Sequence, residues 1–253
     1  MLRHCALLIL LFAAPCGAAQ APAASQQAAP QGPPPLLAEE VYKNVQVFKG
    51  KEAVRLLPAM LALRGLLGME CSHCHIPMEW DKDTKPEKQK ARAHFEMVRF
   101  VNNSPVLGGQ NLVSCWTCHH GQAKPAALEA DAEALKRVAA TIAVPEADQN
   151  KPVEQVFMNI QMLQGVPAGR LPTIMTFFSR SLGVRCDFCH VAGAFEKDDK
   201  DEKLKAREML KMVRATLEKF YGGNGPVGCY GCHHGSQHPE LEPGKPAPAD
   251  HIH

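Results

Sequence analysis

The stretches Leu67-Gly-Met-Glu-Cys-Ser-His-Cys-His75 and Leu182-Gly-Val-Arg-Cys-Asp-Phe-Cys-His190 decide how this chain folds. Each ends in the pattern Cys-x-x-Cys-His, and two further copies lie at residues 115–119 and 229–233. Two thiols one helical turn apart suit the two vinyl groups of a haem, and the next residue then lies under the iron as proximal ligand. The sequence therefore predicts four covalently bound haem c groups. The predicted attachment cysteines are Cys71, Cys74, Cys115, Cys118, Cys186, Cys189, Cys229 and Cys232, and the predicted proximal ligands are His75, His119, His190 and His233.

Zinc sites and redox-active disulfides also use paired Cys-x-x-Cys motifs. Neither chemistry needs a histidine directly after the second cysteine, and all four motifs here have one. The histidine therefore favours haem over both alternatives. Eight of the ten cysteines are used in this way, which leaves Cys5 and Cys16 near the start of the chain.

Residues 1–19 have the pattern of an export signal, with Arg3 at the start, an apolar run from Ala6 to Ala14 and small residues at 17–19. The apolar run is too short to span a bilayer. We expect cleavage after Ala19 and a periplasmic protein, with a lipid anchor on Cys16 as the alternative. Export agrees with the cofactor, because covalent haem attachment takes place outside the cytoplasmic membrane.

The composition excludes nucleic acid as a partner. The formal net charge is +2 and falls to +1 when Arg3 is removed with the signal, and no basic stripe is present. Aromatic residues make up only 6% of the chain, so we expect the haems to supply much of the apolar core and the apoprotein to fold poorly. The mixed-charge segments 79–90 and 196–205 are expected to be solvated loops.

The chain contains a repeat with an offset of 115 residues. Val41–Gly50 matches Val156–Gly165, and Lys90–Arg92 matches Lys205–Arg207. The predicted fold is mainly α: a multihaem cytochrome c of two pseudo-twofold-related dihaem helical modules with little regular sheet. The predicted segments are a signal peptide (1–19), an Ala/Gln/Pro-rich tether (20–37), module 1 (38–125), a linker (126–150) with a helix over 126–140, module 2 (151–238) and a disordered tail (239–253).

Met60 and Met175 are the predicted sixth ligands of the first haem in each module. Each lies eleven residues before the first cysteine of a motif, inside an apolar helix. Eleven helical residues span about 16 Å, comparable to a haem, and Gly68 and Gly183 then let the chain leave the helix. A methionine on an apolar helix is usually core filling, but the identical offset in both repeats favours ligation here.

For the second haem of each module, His94 and Met209 occupy equivalent positions in the Ala-Arg helix and are the predicted sixth ligands. Met97 and Met212, one turn further on, are the competing candidates. His120 and His234 each follow a proximal ligand directly, so neither reaches the opposite face of the same iron. We expect them to meet haem propionates, with ligation of a neighbouring haem as the alternative.

The chain resembles the tetrahaem cytochrome c subunit of photosynthetic reaction centres. The resemblance covers about residues 38–238 and is carried by the Met60 and Met175 helices that lead to Leu-Gly-x-x-Cys-x-x-Cys-His, by Ala206–Met212 and by Cys229-Tyr-Gly-Cys-His. It implies a roughly linear haem relay in which Met60, Met175 and Met209 bind iron.

The chain departs from that family in two ways. Residues 106–114 contain no histidine, although better-known members take one sixth ligand from this loop, and His94 replaces the expected methionine of the second haem. The chain also lacks long insertions with which such a subunit would grip membrane-bound partners.

These observations predict an electron carrier, not an enzyme, that passes single electrons from a soluble donor to a membrane-bound redox complex. The resemblance implies a reaction centre as that complex, and a respiratory complex is the other possibility. The alternative is a multihaem oxidoreductase, of the peroxidase or nitrogen-oxide reductase type, with one open haem. Because every haem has a candidate sixth ligand, the carrier is favoured.

Overall fold

A computed structural model describes residues 33–246 of the chain. The predicted signal peptide, Cys16, most of the tether and the last seven residues lie outside this range. Within it the fold is mainly α-helical, as the sequence predicts. The α-helices are α1 (Ala38–Val41), α2 (Leu56–Leu67), α3 (Cys71–Cys74), α4 (Pro86–Asn102), α5 (Cys115–His119), α6 (Ala132–Thr141), α7 (Leu171–Leu182), α8 (Cys186–Cys189), α9 (Asp201–Tyr221) and α10 (Cys229–His233).

Short 3-10 turns and one small sheet complete the described chain. The turns are Ala53–Arg55, Pro105–Leu107, Glu146–Asp148, Val153–Gln155 and Ala168–Arg170. Strands β1 (Glu240–Glu242) and β2 (Lys245–Pro246) form an antiparallel hairpin. No helix within residues 33–246 is long and apolar enough to cross a membrane.

The helices follow the repeat. Helices α2 to α5 correspond to α7 to α10, and α2 and α7 begin and end at positions exactly one repeat apart along the chain. All four Cys-x-x-Cys pairs lie on single helical turns, α3, α5, α8 and α10. Each module therefore carries one motif after its first long helix and another after its second.

A close backbone contact in each module brings its two motifs together. Gly68 and Gly183 end α2 and α7 in the left-handed conformation (φ 60° and 65°), as predicted for helix ends. A Cβ on Gly68 would lie 2.0 Å from the carbonyl oxygen of Gly121, and the equivalent distance from Gly183 to Gly235 is 2.1 Å. Only glycine fits at these two helix ends, because any side chain would collide with backbone.

The hydrophobic core is small and unevenly shared. In module 2, Val153, Ala168 and Leu171 form a buried cluster that Ile142 and Val144 of the linker cover. Helix α6 packs against α7 in the same region. Helix α2, by contrast, has no buried residue, although its sequence Leu-Leu-Pro-Ala-Met-Leu-Ala-Leu-Arg-Gly-Leu-Leu is almost wholly apolar. The polypeptide alone therefore leaves much of its apolar helix surface uncovered.

The structure adds detail near three of the predicted boundaries. Leu37, directly before the predicted start of module 1, bridges to Glu52. Helix α6 starts at Ala132 and not at 126, because the Asp131 side chain caps it by accepting a hydrogen bond from the Ala134 N–H at 2.9 Å. Residues 240–246 of the predicted tail form a hairpin that packs against α5, and the Ser114 hydroxyl donates to the Leu241 carbonyl at 2.9 Å.

Candidate haem-binding sites

The eight predicted attachment cysteines are all free thiols in pairs one helical turn apart. Burial raises the pKa of the Cys74, Cys115 and Cys189 thiols, and it raises the pKa of Cys229 to about 11. With raised pKa values, these four groups are thiols at neutral pH. Within residues 33–246, no group of three or more His, Cys, Asp or Glu side chains is arranged to hold a metal ion.

Each of the four predicted proximal histidines has its Nδ1 within hydrogen-bond distance of a backbone carbonyl a few residues later in the chain. A carbonyl only accepts, so Nδ1 carries the proton and Nε2 presents its lone pair, as an iron ligand must. Burial lowers the pKa of His75, His190 and His233, which favours the neutral ligand form. The pairs are His75 with Trp80 and His190 with Phe195, both at 3.1 Å, and His119 with Gln122 and His233 with Ser236, both at 2.9 Å.

The structure brings His94 next to His119, the predicted proximal histidine of the second motif. The ring centroids of His94 and His119 are 6.1 Å apart. Two imidazoles on opposite sides of one metal ion, each with a metal–nitrogen bond of about 2 Å, would have centroids about 6 Å apart. Burial and the nearby His119 lower the pKa of His94, so the neutral imidazole is favoured here too.

The predicted methionine ligands are half-buried on three different helices: Met60 on α2, Met175 on α7 and Met209 on α9. Met175 packs against the buried cluster of module 2, a contact that core filling would also make. The competing Met97 accepts a weak hydrogen bond at its sulfur from the Tyr221 hydroxyl at 3.7 Å. Tyr221 belongs to the other module, which gives Met97 a role in the contact between modules.

The two modules meet through equivalent residues of their second motifs. The sulfur atoms of Cys118 and Cys232 are 3.1 Å apart, and the rings of His120 and His234 stack at 4.0 Å between centroids. Each pair joins a residue to its own repeat counterpart, which is the mark of a pseudo-twofold axis. Both histidines adopt a left-handed backbone conformation (φ 46° and 47°).

Buried nitrogen atoms around this contact fit an anionic cofactor. Buried polar groups are normally hydrogen-bonded, and the carboxylates of haem propionates are acceptors of the kind that N–H groups need. His238, the last residue of module 2, is one of this group. Within residues 33–246, the buried ring nitrogens without a hydrogen-bond partner are His120 Nε2, His234 Nε2, His238 Nδ1 and Trp116 Nε1.

Each of the charged segments expected to be solvated loops contains an ion-pair cluster around one buried lysine. Asp83 contacts Lys88 at 3.1 Å and Arg92 at 2.7 Å. The repeat counterparts, centred on Asp198, have almost the same distances. The adjacent arginine holds the pKa of both aspartates well below the usual range. Sequence reasoning missed these residues, although the Lys-x-x-x-Arg spacing recurs at the repeat offset.

Comparison with known proteins agrees with the haem-binding geometry. The family described as photosynthetic reaction centre cytochrome C subunit matches residues 13–156 and again 127–242. A photosynthetic reaction center cytochrome c subunit of Thermochromatium tepidum is 28% identical over 186 residues, which are 62% of this chain and 46% of that protein. The corresponding subunit of Rubrivivax gelatinosus is 25% identical over 285 aligned positions, covering 91% of this chain and 77% of the relative.

A shorter match is to another c-type cytochrome. Cytochrome c-554 of Chloroflexus aurantiacus is 35% identical over 83 residues, or 30% of this chain and 20% of that protein. The chain spans about half the length of the Thermochromatium subunit. The relatives are thus named as cytochromes and reaction centre subunits, which are electron carriers and not enzymes.

Proposed function

Because the chain belongs to the photosynthetic reaction centre cytochrome c subunit family, we propose that it is an exported tetrahaem carrier of single electrons. Membership implies an electron-transfer cytochrome with covalently bound haem c. The number of haems, the ligand set, the location and the partners are our proposals. When bound, each haem would supply reversible one-electron chemistry at its iron.

The four anchored histidines carry this proposal. In every motif the polypeptide fixes one histidine tautomer through a carbonyl at 2.9–3.1 Å and holds two thiols on the same turn. Such anchoring sets the ring orientation and the basicity of the ligand before the metal is bound. Because the arrangement recurs in all four motifs, it supports four haems of one kind.

The proposed sixth ligands are Met60, Met175, His94 and Met209. The 6.1 Å separation of His94 from His119 supports a bis-histidine site at the second motif. Methionine raises the haem potential relative to histidine. We therefore propose three higher-potential sites and one lower-potential site, at the second motif of module 1.

The contact between Cys118 and Cys232 supports an order of attachment sites along the molecule. Helices α5 and α10 pack on each other, whereas α3 packs on α4 and α8 on α9, each within its own module. We propose that the sites follow the order first, second, fourth and third motif. The polypeptide then holds the two modules together where the two central sites meet.

The proposed partners are a soluble electron donor and a membrane-bound redox complex, and the proposed location is the periplasm. The relatives are named as reaction centre subunits, which supports a reaction centre as the complex. A lipid on Cys16 remains the alternative to a free protein after export. Nucleic acid is not among the proposed partners.

An anaerobic redox titration of the mature holoprotein, with haem quantification and EPR, tests the proposal. We expect four haems per chain, only low-spin irons, three higher-potential components and one lower component with a bis-histidine spectrum. A high-spin, five-coordinate haem that binds peroxide or nitrite would contradict it and indicate an enzyme with an open site.

A further inference from the structure

Two buried lysines share a hydrogen-bond acceptor with two proximal histidines. The Trp80 carbonyl lies 3.1 Å from His75 Nδ1 and accepts from Lys88 Nζ at 2.9 Å. In module 2, the Phe195 carbonyl lies 3.1 Å from His190 Nδ1 and accepts from Lys203 Nζ at 2.9 Å. The same arrangement, one carbonyl shared by a histidine and a lysine, therefore occurs at the first motif of both modules.

Both lysines are unusually buried for cations, with 8% and 9% of their surface exposed. Each ammonium also donates to other carbonyls. Lys88 donates to that of Lys82 at 2.7 Å, and Lys203 donates to those of Lys197 at 2.6 Å and Glu196 at 3.1 Å. Each forms an ion pair with the aspartate of its cluster. Such a fixed cation, with its donors fully used, holds the shared carbonyl in place.

The second motif of each module is built differently. His119 and His233 use the carbonyls of Gln122 and Ser236, which come three residues after the histidine instead of five. Within residues 33–246, no side-chain hydrogen bond from a lysine reaches either carbonyl. Each module thus contains one histidine whose acceptor carries a cation and one whose acceptor does not.

We propose that Lys88 and Lys203 are positioning residues that raise the potentials of the haems bound at the first motifs. A carbonyl oxygen has two lone pairs, and an ammonium on one of them withdraws electron density from the other. The histidine N–H then meets a weaker acceptor, so the imidazole donates less to iron and stabilises the ferric state less. The buried positive charge acts in the same direction, because the ferric site carries one more positive charge than the ferrous site.

Substituting the aspartates tests the proposal in the opposite direction, because it should raise the haem potential. Asp83 and Asp198 neutralise part of the charge on the lysines, so each carboxylate reduces the effect of its cation. Replacing Asp198 with Asn removes that compensation and leaves Lys203 in place. The inference rests on the proposed ligation by His75 and His190, and it predicts shifts of opposite sign for the two substitutions.

The test compares redox titrations of the holoprotein with Lys203→Met, Lys88→Met, both together, and Asp198→Asn. We expect each lysine variant to favour the ferric form of one haem about tenfold, a shift of about 59 mV downwards for a one-electron couple. The double variant should move two of four components and leave two unchanged. Asp198→Asn should move one component upwards.

Lys200→Met is the matched control. Lys200 is a neighbouring cation that donates to the Asp187 carbonyl within the same motif, and no histidine nitrogen bonds that carbonyl. We expect its potentials to stay within a small fraction of the Lys203→Met shift. Lys203→Arg keeps the charge and the hydrogen-bond donors, so its haem potentials should stay close to those of the wild type.

Two results would overturn the inference. A lowered melting temperature with four unchanged midpoints would mean that the lysines only brace the loop. Equal shifts in Lys200→Met and Lys203→Met would mean that general charge, and not the shared carbonyl, sets the potential. The wild-type titration separately tests the proposed function, so failure of one is distinguishable from failure of the other.

Discussion

Helix α2 of module 1 and helix α7 of module 2 begin and end at equivalent residues, yet only α7 has buried positions. Pro172 and Thr176 of α7 are buried, α6 packs on this helix, and linker residues cover the adjoining cluster. Their counterparts on α2, Leu57 and Leu61, are exposed although they are more apolar. The geometry that the two modules share therefore does not come from equivalent packing over α2 and α7.

What the modules do share is a polar and backbone framework. Each arginine of the ion-pair cluster also reaches the backbone of the segment before the first helix: Arg92 to Asn44 and Arg207 to Asn159, both at 3.4 Å. A second arginine reaches that segment at 2.6 Å in both modules. The comparison indicates that specific hydrogen bonds fix the haem-binding geometry, while apolar packing differs freely between the halves.

The glycine contact should show the largest effect. In both Gly68→Ala and Gly183→Ala, the new methyl group meets a carbonyl near 2 Å in a left-handed conformation, and we expect a loss on the order of 4 kcal/mol in unfolding free energy. Denaturant unfolding of the holoprotein would measure it. Gly165→Ala is the control, because its φ is 77° but nothing lies within 4 Å of its Cβ. A much smaller loss in module 1 would mean that the framework is not equally important in both halves.

Exchanging the unlike axial candidates comes next. His94→Met should raise the potential of the second haem of module 1, and Met209→His should lower that of its counterpart, each by on the order of 100 mV. Spectroelectrochemical titration with EPR would follow both changes. Met97→Leu, one turn away on α4, should leave all four midpoints unchanged. If Met97→Leu moves a midpoint and His94→Met does not, the ligand assignment is wrong.

The ion-pair clusters predict a pH dependence. Because the folded pKa of Asp83 and Asp198 is depressed, their stabilisation is fully present above the unfolded pKa of about 4 and is lost as pH falls through the folded value. The melting temperature of the wild type should therefore fall steadily below about pH 4. Asp83→Asn and Asp198→Asn should melt lower at neutral pH and depend less on acid.

The neighbouring Asp199 supplies the comparison for that measurement. It is exposed beside Asp198 in the sequence, and Asp199→Asn should follow the wild-type acid curve. An unchanged acid dependence in the double variant of Asp83 and Asp198 would assign the acid sensitivity to other carboxylates.

Weakening the contact between α6 and α7 should cause the smallest loss of stability. Arg180 pairs with Asp131 at 3.5 Å and donates to the Glu129 carbonyl, which ties the start of α6 to α7. Arg180→Ala should cost about 1 kcal/mol and speed amide exchange in α6 without moving any haem potential. The exposed Arg185, 3.6 Å from Asp187, is the control and should show no measurable loss on substitution by Ala. A shift in the haem midpoint potentials would show that the packing of α6 on α7 is coupled to the haem-binding geometry.

Much of this fold is readable from the sequence because its signals are local and repeated. The motifs, the glycines that end α2 and α7, and the 115-residue offset all follow from short patterns. The buried lysines were not readable: Lys88 stands in a run of charges that normally indicates solvent, and its burial depends on carbonyls from a loop folded over it. The hairpin at 240–246 depends in the same way on α5, a distant partner.

The spacing of the framework contacts also has a consequence for the order of folding. Contacts within a module join residues about 50 apart, as in Arg99 to Val47, whereas Cys118 and Cys232 are separated by 114 residues. Loop closure becomes more costly with length, and long-range contacts form late. Each half should therefore assemble as its own unit before the two join. On the proposed haem sites, a chain stopped after residue 125 should still fold and attach two haems.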